Sequence, residues 1–289
     1  MTENAAVPIP ESATLPSRNL GSARTAAPRL ALVIPTLHEG ANIASVINRI
    51  RGSLDPLGIS YQVIVVDDDS RDGTDTIVQK LTEADPRVRL LVRTGKRGLG
   101  GAAVHGWQHS DAEILGLIDA DLQHPPELLP QLWSAIETGS DLVLASRYAP
   151  RGNMRQWNPV RQMLSRFAIW MTRPLQKAGI HVADPMSGFF LVRRSCVEDV
   201  TLQTQGFKIL LEILTRGKIR SVTEVPFEFG LRQAGTSKAG IKEGVGYLWL
   251  LGRLWRQRNS PGIAPAAEPL QIAEVSPADP ELPRPTQKC

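Results

Sequence analysis

In the stretch IDADLQHPPE, residues 118–127, three side chains with oxygen donors stand at alternate positions: Asp119, Asp121 and Gln123. Carboxylates at i and i+2 repel each other unless a cation lies between or beside them. Hard divalent ions take oxygen ligands, and Mg²⁺ typically combines one or two carboxylates with substrate phosphates. The triplet therefore suits a Mg²⁺ or Mn²⁺ ion that bridges a diphosphate, Gln123 adding a neutral oxygen, and neutralises the departing phosphate oxygen.

Two further polar clusters have the same look. PTLHE (35–39) and DDDS (67–70) each end an apolar run, as DADLQ does. Taken singly, each reads equally well as a solvated turn that caps a helix. Basic residues occur downstream: Arg147 in ASRY, and Arg161 with Ser165 in RQMLS, at i and i+4 and hence on one helical face. The arginine fork suits phosphate because it donates two parallel hydrogen bonds. His105, His109, His124 and His181 read as packing or surface residues, and Trp107 and Cys196 as packing.

These clusters need a scaffold. LALVIP (30–35), YQVIVVD (61–67), RVRLLVR (87–93), EILGLID (113–119) and DLVLAS (141–146) are short apolar runs. Amphipathic helical patterns alternate with them: residues 41–54, from about Asp72 with Ser70 or Asp72 as cap, from about Gly100, and after Pro125 and Pro126. The alternation predicts an α/β fold with a mainly parallel sheet covered by helices on both faces. Ligands in such sheets bind beyond the carboxyl ends of the strands, where all three acidic clusters lie. After Arg147 the pattern weakens to helices near 158–178, 208–216 and 241–257 and a strand near 219–225.

The chain has 289 residues, 42% hydrophobic, with a formal net charge of +4. That composition is globular, and the small positive surplus leaves nucleic acid, a membrane surface and a phosphorylated substrate all open as partners. Residues 1–28 and 259–289, the latter rich in proline, read as disordered tails around a catalytic domain at 29–258. Two cysteines make no disulfide framework, and no apolar run reaches the ~20 residues of a spanning helix. The expectation is a cytoplasmic protein, soluble or peripheral on a membrane. NPVRQMLSRFAIWMTRP (158–174) and YLWLLGRLWRQR (247–258) mix aromatics with arginines, a pattern that suits a membrane surface or a core helix with a basic outer face.

In chain order, VIPTLHEGANI, VVDDDSRDGT, GLGGAAVHG, DADLQHPPELLP, GSDLVLASRY, DPMSGFFLVRR, GFKILLEIL and EVPFEFGLRQAGTSK resemble the polyprenyl-phosphate (dolichol-phosphate) mannosyltransferases among the family 2 glycosyltransferases. The resemblance covers roughly residues 29–250 and implies the GT-A nucleotide-sugar-binding fold. It implies transfer of mannose, with inversion, from GDP-mannose to a polyprenyl phosphate in a membrane. The implied location is the cytosolic face, with contact through amphipathic helices and no nucleic-acid partner. By this resemblance Pro35, Glu39, Val66 and Asp68 hold the nucleotide, and Asp119, Asp121 and Gln123 hold metal and diphosphate. Arg147, Arg161 and Ser165 hold the acceptor phosphate, while Arg232 and Lys238 lie near the nucleotide phosphates. Asp121, Arg147 and Arg232 are the residues expected to carry catalysis. Where the family has Tyr-Asn, this chain has Leu37-His38, so an aromatic beside the base is missing and a UDP-sugar donor is the nearest alternative.

A rival reading comes from Gly98, Gly100 and Ala103, which fit the dinucleotide fingerprint of a dehydrogenase. Against it, the fingerprint does not follow the first strand of its unit and leaves Asp121 and Gln123 without a task. A non-catalytic lipid- or nucleotide-binding relative is a second rival, opposed by the intact acidic triplet.

Overall fold

The computed structural model describes residues 12–15, 27–95, 97–148, 167–176, 180–203, 208–227, 251–252 and 254–255. Strands β2 (Leu30–Thr36), β3 (Tyr61–Asp67), β4 (Val88–Val92), β5 (Ile114–Leu117), β6 (Leu142–Ser146), β7 (Phe190–Arg193) and β9 (Val222–Pro226) form a seven-stranded sheet. Its order is β4-β3-β2-β5-β7-β6-β9. All neighbouring pairs are parallel except those of β7, which runs antiparallel to β5 and β6. The expected α/β sheet is thus present, with one inverted strand that the sequence pattern did not reveal.

The helices α1 (Ile43–Leu54), α2 (Thr74–Ala84), α3 (Leu99–Gln108) and α4 (Leu129–Glu137) follow the strands as expected. Two separate cores result, one on each face. The first packs Ile43, Val46, Ile47, Leu132 and Trp133 against Leu32, Ile34 and Val65. The second packs α3 and the helix Ile209–Arg216 against Val33, Val66 and Phe190. The continuously apolar strands are what this burial on both faces requires. Gly106 brings α3 close: a methyl there would lie 2.6 Å from a Val33 methyl and 3.1 Å from one of Val66. Trp107 is packing, as expected, and its ring N–H donates to the Gly116 carbonyl at 2.9 Å.

Three boundaries differ from the sequence reading. The strand expected to run to residue 119 ends at Leu117, because the loop after it turns away from the ladder. Helix α2 begins at Thr74, with Asp72 accepting from the Thr74 N–H (3.1 Å) and hydroxyl (2.6 Å). Within the segment expected to be a disordered tail, β1 (Ser12–Thr14) pairs antiparallel with β8 (Thr201–Gln203). Leu15 then enters the second core and is fully buried, an apolar anchor that lets a Pro- and Ala-rich segment acquire structure. Among the described residues, no helix is long and apolar enough to cross a membrane.

Candidate active site

The three acidic clusters meet at the carboxyl edge of the sheet. Pro35 and Val66, both expected at the nucleotide, are register partners on β2 and β3. Glu39 lies just beyond β2 and accepts from the Asn42 amide at 2.9 Å, ahead of α1. Asp67 and Ser70 are hydrogen-bonded to each other, and the Ser70 hydroxyl accepts the His38 N–H at 2.9 Å. The loops after β2 and β3 are therefore tied together. His38, Asp69, Arg71 and Leu122 all adopt positive φ, between 54° and 64°. Each such residue costs about 1–3 kcal/mol, and such strain gathers at functional loops.

Asp68 is 4% exposed, and its carboxylate is already engaged. Arg93 donates to Oδ1 from Nε at 2.8 Å, with its terminal nitrogen 2.6 Å from the same oxygen as an ion pair, and the Gly98 N–H donates to Oδ2 at 2.8 Å. Asp68 thus fixes the segment that opens α3. Gly98, the first glycine of the dehydrogenase fingerprint, serves this tie, its carbonyl also accepting from Arg93 at 3.0 Å.

In the acidic triplet, burial alternates strictly. Ile118, Ala120, Leu122 and His124 are buried, whereas Asp119, Asp121 and Gln123 are half-buried. Leu122, at φ 60°, turns the chain so that the Gln123 N–H reaches Asp121 Oδ1 at 3.1 Å. The alternation thus carries the three oxygen-bearing side chains away from the core beneath them. β5 and β7 last pair at Leu117 and Phe190, so Asp119 and Gly188 face each other two residues further on. A methyl at 188 would overlap Asp119 Oδ2 and lie 2.8 Å from Cγ and 3.0 Å from Oδ1.

Among the described residues, no three His, Cys, Asp or Glu side chains gather into a closed metal cage. Two carboxylates and an amide on one loop instead fit a hard ion that draws its remaining ligands from diphosphate and water. His124 Nδ1 lies 3.6 Å from Asp119 Oδ2. Burial, and secondarily the charge of Arg147, pushes its pKa down to about 3, so it is neutral and packs between Phe189 and Phe227.

Arg147 immediately follows β6, with its side chain 13% exposed, and does not stand alone. Asp184, fully buried, accepts from Arg147 Nε and a terminal nitrogen at 2.7 Å each and from its backbone N–H at 3.1 Å. Burial opposes the guanidinium's charge, but these contacts outweigh it and hold the pKa above its ordinary value. The Asp184 turn is itself braced, the Ser187 N–H donating to the Asp184 carbonyl and the Ser187 hydroxyl to the Ala145 carbonyl. Asp184 is thus the partner of the expected phosphate ligand.

Sequence reasoning missed Lys208, which precedes the helix Ile209–Arg216. It lies in electrostatic reach of Arg147, Asp119 and Asp184. Burial first, and then Arg147, lowers its pKa to about 8 against the pull of the two carboxylates. The available signal was a lone cation at the head of the apolar run ILLEIL. Arg161, Ser165, Arg232 and Lys238 lie outside the described residues.

The model of glycosyl transferase family 2 matches residues 31–201. A dolichol-phosphate mannosyltransferase of Pyrococcus furiosus is 40% identical over 228 residues, 79% of this chain and 64% of that protein's length. That of Saccharomyces cerevisiae is 36% identical, over 78% of this chain and 86% of its own. The polyprenol monophosphomannose synthase of Mycolicibacterium smegmatis is 34% identical, over 80% and 91%. Among solved structures, M. tuberculosis glucosyl-3-phosphoglycerate synthase shares the fold at a TM-score of 0.55 and 19% identity, covering 82% of this chain and 83% of its own. The same enzyme is also solved with Mn²⁺, UDP-glucose and phosphoglyceric acid, at 20% identity and a TM-score of 0.55 over 81% of each chain. The fold is therefore GT-A-like, and the chain is a glycosyltransferase of family 2 that belongs with the dolichol-phosphate and polyprenol-phosphate mannosyltransferases.

Proposed function

We propose that this enzyme transfers mannose from GDP-mannose to a polyprenyl phosphate at the cytosolic face of a membrane, in a divalent-metal-dependent and inverting reaction. The observation that carries the reading is the grouping of Asp119 and Asp121, suited to a hard cation, with Arg147 and Lys208, suited to phosphate, at one end of the sheet. Relatives with the printed names of dolichol-phosphate and polyprenol-phosphate mannose enzymes support it. The Mn²⁺ in the solved complex of a structural neighbour supports the metal.

Asp119, Asp121 and the Gln123 amide would hold Mg²⁺ or Mn²⁺, which when bound supplies charge neutralisation for the departing diphosphate. The acceptor defines the rest of the machinery. A phosphate monoester has a second pKa of about 6 and is largely dianionic at neutral pH. One of its oxygens forms the bond to the anomeric carbon as the bond from that carbon to the diphosphate breaks, its electron pair leaving on GDP. No side chain has to remove a proton, which suits a site whose buried histidine, His124, is held neutral. Arg147, aligned by Asp184, orients the acceptor phosphate. Lys208, mostly charged at neutral pH, offsets the anions that converge there. Pro35, Glu39, Val66 and Asp68 would serve the nucleotide, Asp68 through the segment it ties by Arg93 and the Gly98 N–H.

Membrane contact has its own support. Phe167, Trp170 and Trp255 are 56%, 59% and 64% exposed. Trp170, Met171, Leu175, Leu251 and Trp255 line an apolar cavity of about 520 Å³, with Arg173 also in its lining. Aromatic rings beside a cation are what a lipid interface selects. The test is a panel of labelled GDP- and UDP-sugars offered with polyprenyl phosphate, with and without chelator. GDP-mannose should be the preferred donor and chelator should abolish transfer. Preference for a UDP-sugar would favour the alternative donor, and undiminished transfer in chelator would remove the metal.

A further inference from the structure

We propose that Glu224 is a positioning residue for the transfer, acting on Arg147 through Asp184; this rests on the reading of Arg147 as the acceptor-phosphate ligand. Glu224 sits on β9 at the edge of the sheet, in register with Leu144 of β6. It reaches across to the turn before β7. There Oε2 accepts the Ala183 N–H at 2.9 Å and Oε1 accepts the Asp184 N–H at 3.1 Å. Two successive backbone amides thus converge on one carboxylate, one to each oxygen.

The consequence is mechanical. The bond to its own N–H fixes the Asp184 backbone on one side, and the Ser187 N–H on its carbonyl fixes it on the other. Its side chain, with no exposure to solvent, then has one place to be, and from there it takes the Arg147 fork at 2.7 Å on both arms. Arg147 comes from the end of β6, Asp184 from the turn before β7 and Glu224 from β9. Three elements that are neighbours in the sheet are therefore locked into one relay, with its far end outside the reacting groups. A carboxylate is needed at the far end for a chemical reason. A glutamine has one acceptor oxygen and turns an NH₂ donor towards the second N–H, so it loses one hydrogen bond and sets donor against donor.

Glu224→Gln keeps size and shape while breaking half of the clasp. Loss of one backbone-to-carboxylate bond and a small shift of Asp184 should raise the KM for polyprenyl phosphate about fivefold to tenfold. The KM for GDP-mannose should change by less than about twofold, and the melting temperature by only a few degrees. The decisive measurement is a double-mutant cycle with Arg147→Lys, which cannot donate a bidentate fork to Asp184. In the Arg147→Lys background, Glu224→Gln should add less than about twofold to the acceptor KM, because the geometry it protects is already gone. Fully multiplicative effects, or equal loss on both substrates together with a collapse in melting temperature, would overturn the relay. If Arg147→Lys leaves the acceptor KM untouched, the reading of Arg147 as phosphate ligand fails first and the relay with it. If only Glu224→Gln is inert, the relay alone fails. Glu224→Asp, which keeps the charge but draws back by one methylene, is read by the same ratio should the glutamine variant not fold.

Discussion

Gly188→Ala is the smallest change that tests the acidic triplet without touching it. The register of β5 and β7 places residue 188 against Asp119, and an added methyl would overlap Oδ2 while lying 2.8 Å from Cγ. Relaxed contacts between carbon atoms fall near 3.5–4.0 Å, so the carboxylate has to withdraw by roughly 1 Å. Gly188 is not among the described residues with positive φ, so alanine meets no backbone penalty there. The clash is with the end of a side chain that is 28% exposed and has room to turn outward. Stability should therefore change by less than about 1 kcal/mol, since Gly→Ala also reduces the freedom of the unfolded chain. Function should not escape so lightly. A misplacement of about 1 Å in a catalytic arrangement can cost about 10²-fold in rate. We expect kcat/KM for mannosyl transfer to fall by about that factor. If Asp119 holds the proposed ion, the half-saturating Mg²⁺ or Mn²⁺ concentration should rise by about tenfold or more, since one ligand of few is then displaced. The assay is initial rate against metal concentration, with a thermal melt of the same preparation. A variant that melts like wild type and keeps its metal requirement would refute the placement of Asp119 at the metal.

Further outcomes follow from the same geometry. Asp184→Asn leaves Arg147 buried without its counter-charge; breaking such a pair costs about 3–5 kcal/mol, and the one acceptor that asparagine retains puts the cost at the lower end. At about 2–4 °C per kcal/mol, the melting temperature should fall by roughly 6–12 °C, and an unchanged melt would contradict the burial of the pair. Leu15→Asp removes a fully buried side chain from the second core and should cost at least about 1.5–3 kcal/mol by denaturant titration. A variant as stable as wild type would show that the β1–β8 pairing contributes nothing.

The parts of the fold that are local in sequence were legible. Apolar runs ending in PTLHE, DDDS and DADLQ announced parallel strands with polar carboxyl ends, because a strand buried on both faces has to be continuously apolar. β7 escaped because FLVR is short and follows a turn, and nothing in four residues says that the strand inserts antiparallel between β5 and β6. That insertion matters most for the site, since it sets Gly188 against Asp119 and Asp184 beside Arg147. Contacts between residues far apart in the chain were invisible for the same reason. Arg147 looked available for phosphate, and only the fold shows Asp184 holding it. Asp68 looked like a nucleotide contact, and only the fold shows Arg93 and Gly98 on its carboxylate.

Under the proposed transfer, in which no side chain removes a proton, the pH profile should be set by charge on binding groups. Lys208 brings this to a measurable point, because burial and Arg147 lower its pKa to about 8 from the usual range near 10. The sign is definite: the ammonium is present below about 8 and is lost as pH rises through it. The acceptor phosphate gains its second charge as pH rises through about 6. The product of the two predicts a bell in kcat/KM, rising near 6 from the acceptor and falling near 8 from Lys208. Lys208→Arg keeps the charge at every accessible pH, so its alkaline limb should disappear while the acid limb stays. An alkaline limb that survives in Lys208→Arg would assign that ionisation elsewhere and take Lys208 out of the phosphate-binding charge.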